Sequence, residues 1–133
     1  MELNLVAVFA SAVAATIIGS IWYSPTVFGT YWMDLMGFKK ADMAKKQKEG
    51  MAKEYALSFL SSLIMSYVLG YFVRGTSLEG AAATVFWVWF GFVATIQIGG
   101  SLWGGQKYGV FFLNAAYWLI TLLVMGSILS QWG

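Results

Sequence analysis

The sequence contains no cysteine and no histidine. Without cysteine there is no disulfide framework, no thiolate metal site and no cysteine nucleophile, and without histidine the commonest general base and metal ligand is missing as well. Charge is scarce too. Asp, Glu, Lys and Arg make up 11% of the 133 residues, and Lys+Arg 8 against Asp+Glu 6 leaves a net charge of +2. A nucleic-acid surface needs a dense basic face, so no nucleic-acid partner is expected. Most enzyme classes lose their chemistry here. No catalytic residue, cofactor or metal ligand is assigned, and a membrane enzyme would have to work with Asp34, Glu54, tyrosine or lysine.

What is present in excess is apolar surface. Hydrophobic residues reach 59% before the 15 glycines are counted, and the mean hydropathy is +0.70; soluble domains hold about 45–50% with glycine included. A bilayer core about 30 Å thick needs about 20 apolar residues of helix. Four such runs, free of charge, cover about residues 3–22, 55–73, 80–103 and 108–131. They predict an all-α chain forming a single domain over residues 1–133, an integral membrane four-helix bundle. The first run lacks the basic start of a signal peptide and follows Glu2, so it is expected to be retained as a span.

Orientation follows from the cations. The connection after the first span carries Lys39, Lys40, Lys45, Lys46, Lys48 and Lys53, and the one after the third carries Lys107, while the opposite side has only Arg74. By the positive-inside rule both lysine-bearing connections are cytoplasmic and both termini lie outside. Glu2 agrees. The lysine cluster reads either as this topology signal, diluted by Asp42, Glu49 and Glu54, or as a site for anionic lipid or an acidic partner. Trp22, Tyr23, Tyr55, Trp103 and Tyr108 mark the cytoplasmic headgroup level, and Tyr71 and Trp132 the outer one. Trp87, Trp89, Tyr117 and Trp118 fall deeper and read as packing or pocket-lining groups.

The long connection predicts two further elements. Ser24 can cap a helix whose first residue is Pro25, running to about Met36 and ending at Gly37. Val27, Phe28, Tyr31, Trp32, Leu35 and Met36 share one side of it, the pattern of an amphipathic helix lying at the cytoplasmic interface. From Ala41 a lysine-rich helical segment follows, and its continuation into the second span is weakest at Gly50.

Helices in a bilayer are joined by small residues and interhelical hydrogen bonds. Small residues recur every four positions at Ala7, Ser11, Ala15 and Gly19, at Ser58, Ser62, Ser66 and Gly70, and at Gly91, Thr95 and Gly99; the fourth span has Gly126 and Ser130. Asn114 and Gln97 carry amides that would cost several kcal/mol if left unpaired in hydrocarbon, so both are expected to face protein or water. With Thr16, Ser61, Thr84 and Thr121 they form either interhelical glue or the lining of a path for a small solute. No ionisable group sits within the spans, which argues against proton-coupled transport. Gly19-Ser20-Ile21-Trp22 and Gly100-Ser101-Leu102-Trp103 hint at two helix pairs in parallel repeat, and residues 99–105 read as a flexible glycine loop.

Trp22-Tyr23-Ser24-Pro25, then Phe28-Gly29, Trp32 and Gly37, with Trp89, Gly91, Phe92, Asn114 and Tyr117 further on, resembles the small four-helix bacterial membrane proteins grouped as a domain of unknown function. The resemblance covers nearly the whole chain. It implies a bacterial inner (plasma) membrane location and a shared architecture, and it brings no reaction, substrate or cofactor. Read physically, Pro25 fixes an exit angle, Gly29 permits close packing, and Trp22, Tyr23 and Trp32 anchor at the headgroups. The corner is then either structural or the mouth of a cavity whose polar groups are Tyr23, Ser24 and Asp34, with Asn114, Gln97 and Tyr117 deeper in. The expectation is a non-enzymatic structural or accessory membrane protein that contacts lipids and self-associates or joins a larger complex. The alternative is an oligomeric channel or facilitator for a small solute or ion.

Overall fold

The computed structural model describes residues 4–37, 39, 41, 45 and 48–132. Expectations resting on Glu2, Lys40, Asp42 and Lys46, including most of the lysine-rich helix from Ala41, lie outside those residues. Among the described residues the chain is all-α: α1 Leu5–Trp22, α2 Gly29–Met36, α3 Ala52–Val73, α4 Leu78–Leu102 and α5 Tyr108–Trp132. The four long helices begin and end within a turn of the expected runs, and each is long and apolar enough to cross a membrane. Their ends are set by polar and glycine residues. The Asn4 side chain accepts from the N–H groups of Val6 and Ala7 at the start of α1, and Ser77 accepts from Gly80 N–H at the start of α4. Gly50, at φ +94°, precedes α3; the left-handed backbone stops any helix from running through it.

The Asn4 amide also donates to the Trp132 carbonyl at 3.0 Å, so the start of α1 and the end of α5 share one end of the bundle. Helices α1, α3 and α5 form its centre. Ala7, Ser11 and Ala15 of the first small-residue stripe are all buried, which lets α3 and α5 approach the α1 backbone. Ser66 donates to the Val8 carbonyl at 2.8 Å, and Ser11 donates to the Met125 carbonyl at 3.5 Å. Leu69, Val73, Leu122, Met125 and Leu129 fill the space around these contacts. Small residues let the backbones approach closely here, so dispersion acts over a long stretch of the seam.

Helix α4 is attached more loosely. Of its most apolar window 11% is buried, against 44% for α5. It rests on α5 through Ala81 and Val85, with Val85 Cγ2 over Gly126, where an added Cβ would come within 2.6 Å. Residues Trp89–Ala94 are π-helical, and a π turn shifts the register of the residues beyond it. Among the described residues the third small-residue stripe does not join helices. Nothing lies within 4 Å of a Cβ placed at Gly91 or Gly99, and Thr95 returns its hydroxyl to the Gly91 carbonyl. Trp87, expected to pack inside, is 66% exposed on the same helix.

Two smaller expectations also change. Gly99 and Gly100 are helical, their carbonyls accepting from Trp103 and Gly104 N–H, and the turn itself is made by Gly105 at φ +72°. Trp22 is half-buried against Phe28, whereas Trp103 is 91% exposed. The two Gly-Ser-x-Trp tetrapeptides thus hold different environments, because α1 is central and α4 peripheral.

Candidate functional site

The corner after α1 is built by a turn rather than by a capped helix start. Val27 N–H donates to the Ser24 carbonyl at 3.0 Å, which puts Pro25 at the second position of a β-turn, where its fixed φ is favourable. Gly29 N–H donates to the same carbonyl at 2.8 Å, and Phe28 N–H reaches back to Trp22. Helix α2 consequently starts at Gly29, not at Pro25, and Phe28 stands at its cap position without a side-chain bond. Ser24 is not the cap: its hydroxyl donates backwards to the Ile21 carbonyl at 2.7 Å. Gly37, at φ +77°, ends α2 as expected.

This reversal lays α2 against the end of the bundle. Leu35 and Tyr31 meet Gly109 of α5, and the Trp32 ring stands edge-on to Tyr23 at 5.7 Å. Tyr23 reaches inward and donates to Asn114 Oδ1 at 2.6 Å, so the amide expected to seek a partner finds one across 91 residues of chain. Burial, and secondarily the neighbouring Tyr117, pushes the Tyr23 hydroxyl above the ordinary phenol range. The bond is complete at every pH below about 10, where an unfolded tyrosine ionises, and is lost only in alkali. Tyr117 is buried beside it, with ring centroids 5.2 Å apart, and donates to the Ala15 carbonyl at 3.5 Å. Gly19 makes room for this hydroxyl; an added Cβ would sit 2.9 Å from it.

Between α1, α3 and α5 a cleft of about 520 Å³ opens beside this cluster. Its α1 wall carries Thr16, Gly19, Ser20 and Tyr23, its α3 wall Tyr55, Ser58, Ser61 and Ser62, and its α5 wall Tyr117 and Trp118. No charged side chain among the described residues lines it. The Thr16 and Ser20 hydroxyls bond their own helix, at Ala12 and Thr16. Ser58, Ser61 and Ser62 have no hydrogen-bond partner among the described residues. One end of the cleft stops at Ala15 and Ser62; one turn beyond, Ser11 and Ser66 are each 0% exposed.

The sequence-derived candidates divide accordingly. Tyr23, Asn114 and Tyr117 come together. Ser24 and Asp34 do not line the cleft, and Asp34 is exposed on α2. Gln97 is half-buried on α4 and makes no bond to Asn114. Ser58 and Ser62 join the cleft although their spacing pointed elsewhere, and Trp89 packs as its depth suggested. Ser58 and Ser62 read as a packing stripe, and only the absence of a partner helix at that depth turns them into a wall. Trp89 donates from its indole to the Ala115 carbonyl at 2.8 Å, fixing the π-helical turn to α5 beside Asn114.

Asn114→Leu should leave the half-buried Tyr23 hydroxyl without its acceptor and destabilise the protein by about 1–2 kcal/mol. Thermal unfolding in detergent reads this directly, and Tyr23→Phe combined with Asn114→Leu should cost less than the two single changes added together. Strict additivity would break the assignment of this bond.

A family model described as protein of unknown function (DUF1761) matches residues 6–130. No curated protein and no solved structure matches the chain.

Proposed function

The chain belongs to the family described as protein of unknown function (DUF1761), and from that premise we propose a non-enzymatic integral membrane protein that self-associates through α4. In this reading the four long helices span the bacterial inner membrane, the lysine-bearing connections are cytoplasmic, and both termini are outside. The observation that carries it is the contrast between small-residue faces. Those of α1 and the outer half of α3 are closed on each other, whereas Gly91, Thr95 and Gly99 of α4 are open. Small-xxx-small faces let helix backbones meet in a bilayer, and Phe86, Trp87, Phe90 and Phe92 flank this one as exposed aromatic contacts. A solute path through one copy gains no support, since the cleft ends where Ser11, Ser66 and Met125 are fully buried.

Native mass spectrometry of gently extracted protein should give a homo-oligomer, and Gly91→Leu with Gly99→Leu should convert it to monomer. Because the space over both glycines is open, helical content should not change, so loss of assembly is separable from loss of fold. A wild-type monomer free of partners would defeat the reading. Fixed-stoichiometry co-purification with another subunit would replace self-association by membership of a larger complex. Orientation is tested separately, since the chain has no native cysteine. Ser77→Cys should react with an impermeant maleimide from outside and Lys48→Cys only after permeabilisation; the reverse pattern would invert the topology.

A further inference from the structure

The cleft between α1, α3 and α5 has features that helix packing alone does not require. Its volume of about 520 Å³ lies in the range of small-molecule sites, about 300–1,000 Å³. Serines 58, 61 and 62 place three hydroxyls without protein partners on one wall, at the depth of a helix long and apolar enough to span a bilayer. Polar groups taken from water into hydrocarbon need a hydrogen-bonding partner. Across from it the lining is aromatic, Tyr23 at the end of the α1 wall packing edge to face on Tyr117, and Tyr117 on Trp118 with centroids 4.9 Å apart. The rim at Ser20, Tyr55, Ser58 and Ser61 is exposed on the flank of the bundle, the side that faces acyl chains if α1 and α3 span the membrane as proposed above.

We propose that this cleft binds the uncharged, flat, oxygen-bearing ring of a membrane-soluble lipid of the quinone class. None of the described residues lining the cleft is charged, so it offers an ionic headgroup no counter-charge and favours an uncharged ring. Hydroxyls on the α3 wall donate to carbonyl oxygens on the ring edge, and the aromatic wall takes the ring face, for which offset and edge-to-face contacts are favoured. The apolar tail leaves over the exposed rim into the bilayer, so nothing has to pass through the closed core at Ser11 and Ser66.

The test uses the full-length protein in detergent, titrated calorimetrically with decylubiquinone against a protein-free micelle blank. One saturable site per chain is expected. Ser61→Leu replaces a hydroxyl at the cleft rim with a bulky apolar side chain and should weaken binding, while the combined Ser58→Ala, Ser61→Ala and Ser62→Ala variant should weaken it about tenfold or more, as loss of several neutral hydrogen bonds implies. Ser61 is exposed, so neither variant should unfold the protein, and circular dichroism checks that. Gly91→Leu, on the far helix, should bind as wild type, which separates this site from self-association. No saturable heat above the blank would overturn the proposal, as would wild-type binding by both serine variants. Dioctanoylglycerol displacing the quinone at equal concentration would overturn the choice of a flat ring and assign the cleft to uncharged lipid esters.

Discussion

Gly29→Ala is expected to lower stability by about 3 kcal/mol, the upper end of what overpacking costs, and to bring the unfolding midpoint down by roughly 12 °C at roughly 4 °C per kcal/mol for a chain of this size. The cause is steric. A Cβ at Gly29 would collide with the Tyr23 carbonyl oxygen and come within 2.7 and 2.8 Å of the Ser24 carbonyl carbon and oxygen. These are backbone atoms of a turn closed by two hydrogen bonds to Ser24, so no side chain can rotate away. Opening the turn would release α2 and withdraw Trp32 from Tyr23, and with it the support of the Tyr23–Asn114 bond. Gly37 supplies the contrast. Its φ is +77° with open space around it, so its requirement is conformational, and Gly37→Asn should be nearly neutral whereas Gly29→Asn should be as harmful as Gly29→Ala. Equal tolerance at both positions, read by thermal unfolding in detergent, would refute the corner geometry.

Ser66→Leu should destabilise by a similar amount, about 3 kcal/mol, and reduce the fraction of protein extracted in folded form. Ser66 is fully buried where α3 crosses α1, its hydroxyl 2.8 Å from the Val8 carbonyl. A leucine there must push the two helices apart along the Ala7–Ser11–Ala15 seam, because cores do not absorb added methylenes without strain. Ser66→Ala keeps the small volume and removes only the interhelical hydrogen bond, for which about 1 kcal/mol is expected. Ser61→Leu, on the same helix but beside the cleft, should leave the midpoint unchanged. If Ser66→Leu behaved like Ser66→Ala, α1 and α3 would not be close-packed at Ser66.

Much of this arrangement was legible in the residues. Gly37 and Gly50 act locally, through positive φ, so their effect on helix ends could be read without knowing any neighbour, whereas the equally local caps Asn4 and Ser77 did not stand out beside runs chosen by hydropathy. Asn114 announced a partner by the cost of its amide in hydrocarbon, yet Tyr23, 91 residues away, could only be located by folding. The Ser24–Pro25 helix start was misread because Pro25 suits a β-turn and a first helical residue equally well. What decides between them is whether the next residues have room, and Gly29 gives that room only when the chain turns back on Tyr23. The third small-residue stripe was misassigned for a related reason: a period of four identifies a face, but not whether another helix covers it.

The sequence by itself determined that this is an all-α chain with four helices long and apolar enough to cross a membrane, because hydropathy and helix length are summed along the chain and need no partner. Tertiary structure alone decided which faces meet. It closed α1 on α3 and α5, left the Gly91–Thr95–Gly99 face of α4 open, and set Ser58, Ser61 and Ser62 opposite Tyr117 and Trp118 around a cleft. Those outcomes depend on helix crossing and on the π-helical register shift in α4. Helix crossing is set by contacts between residues far apart in the chain, and the π turn is tied to α5 by the Trp89 indole on the Ala115 carbonyl, a contact that local spacing does not show.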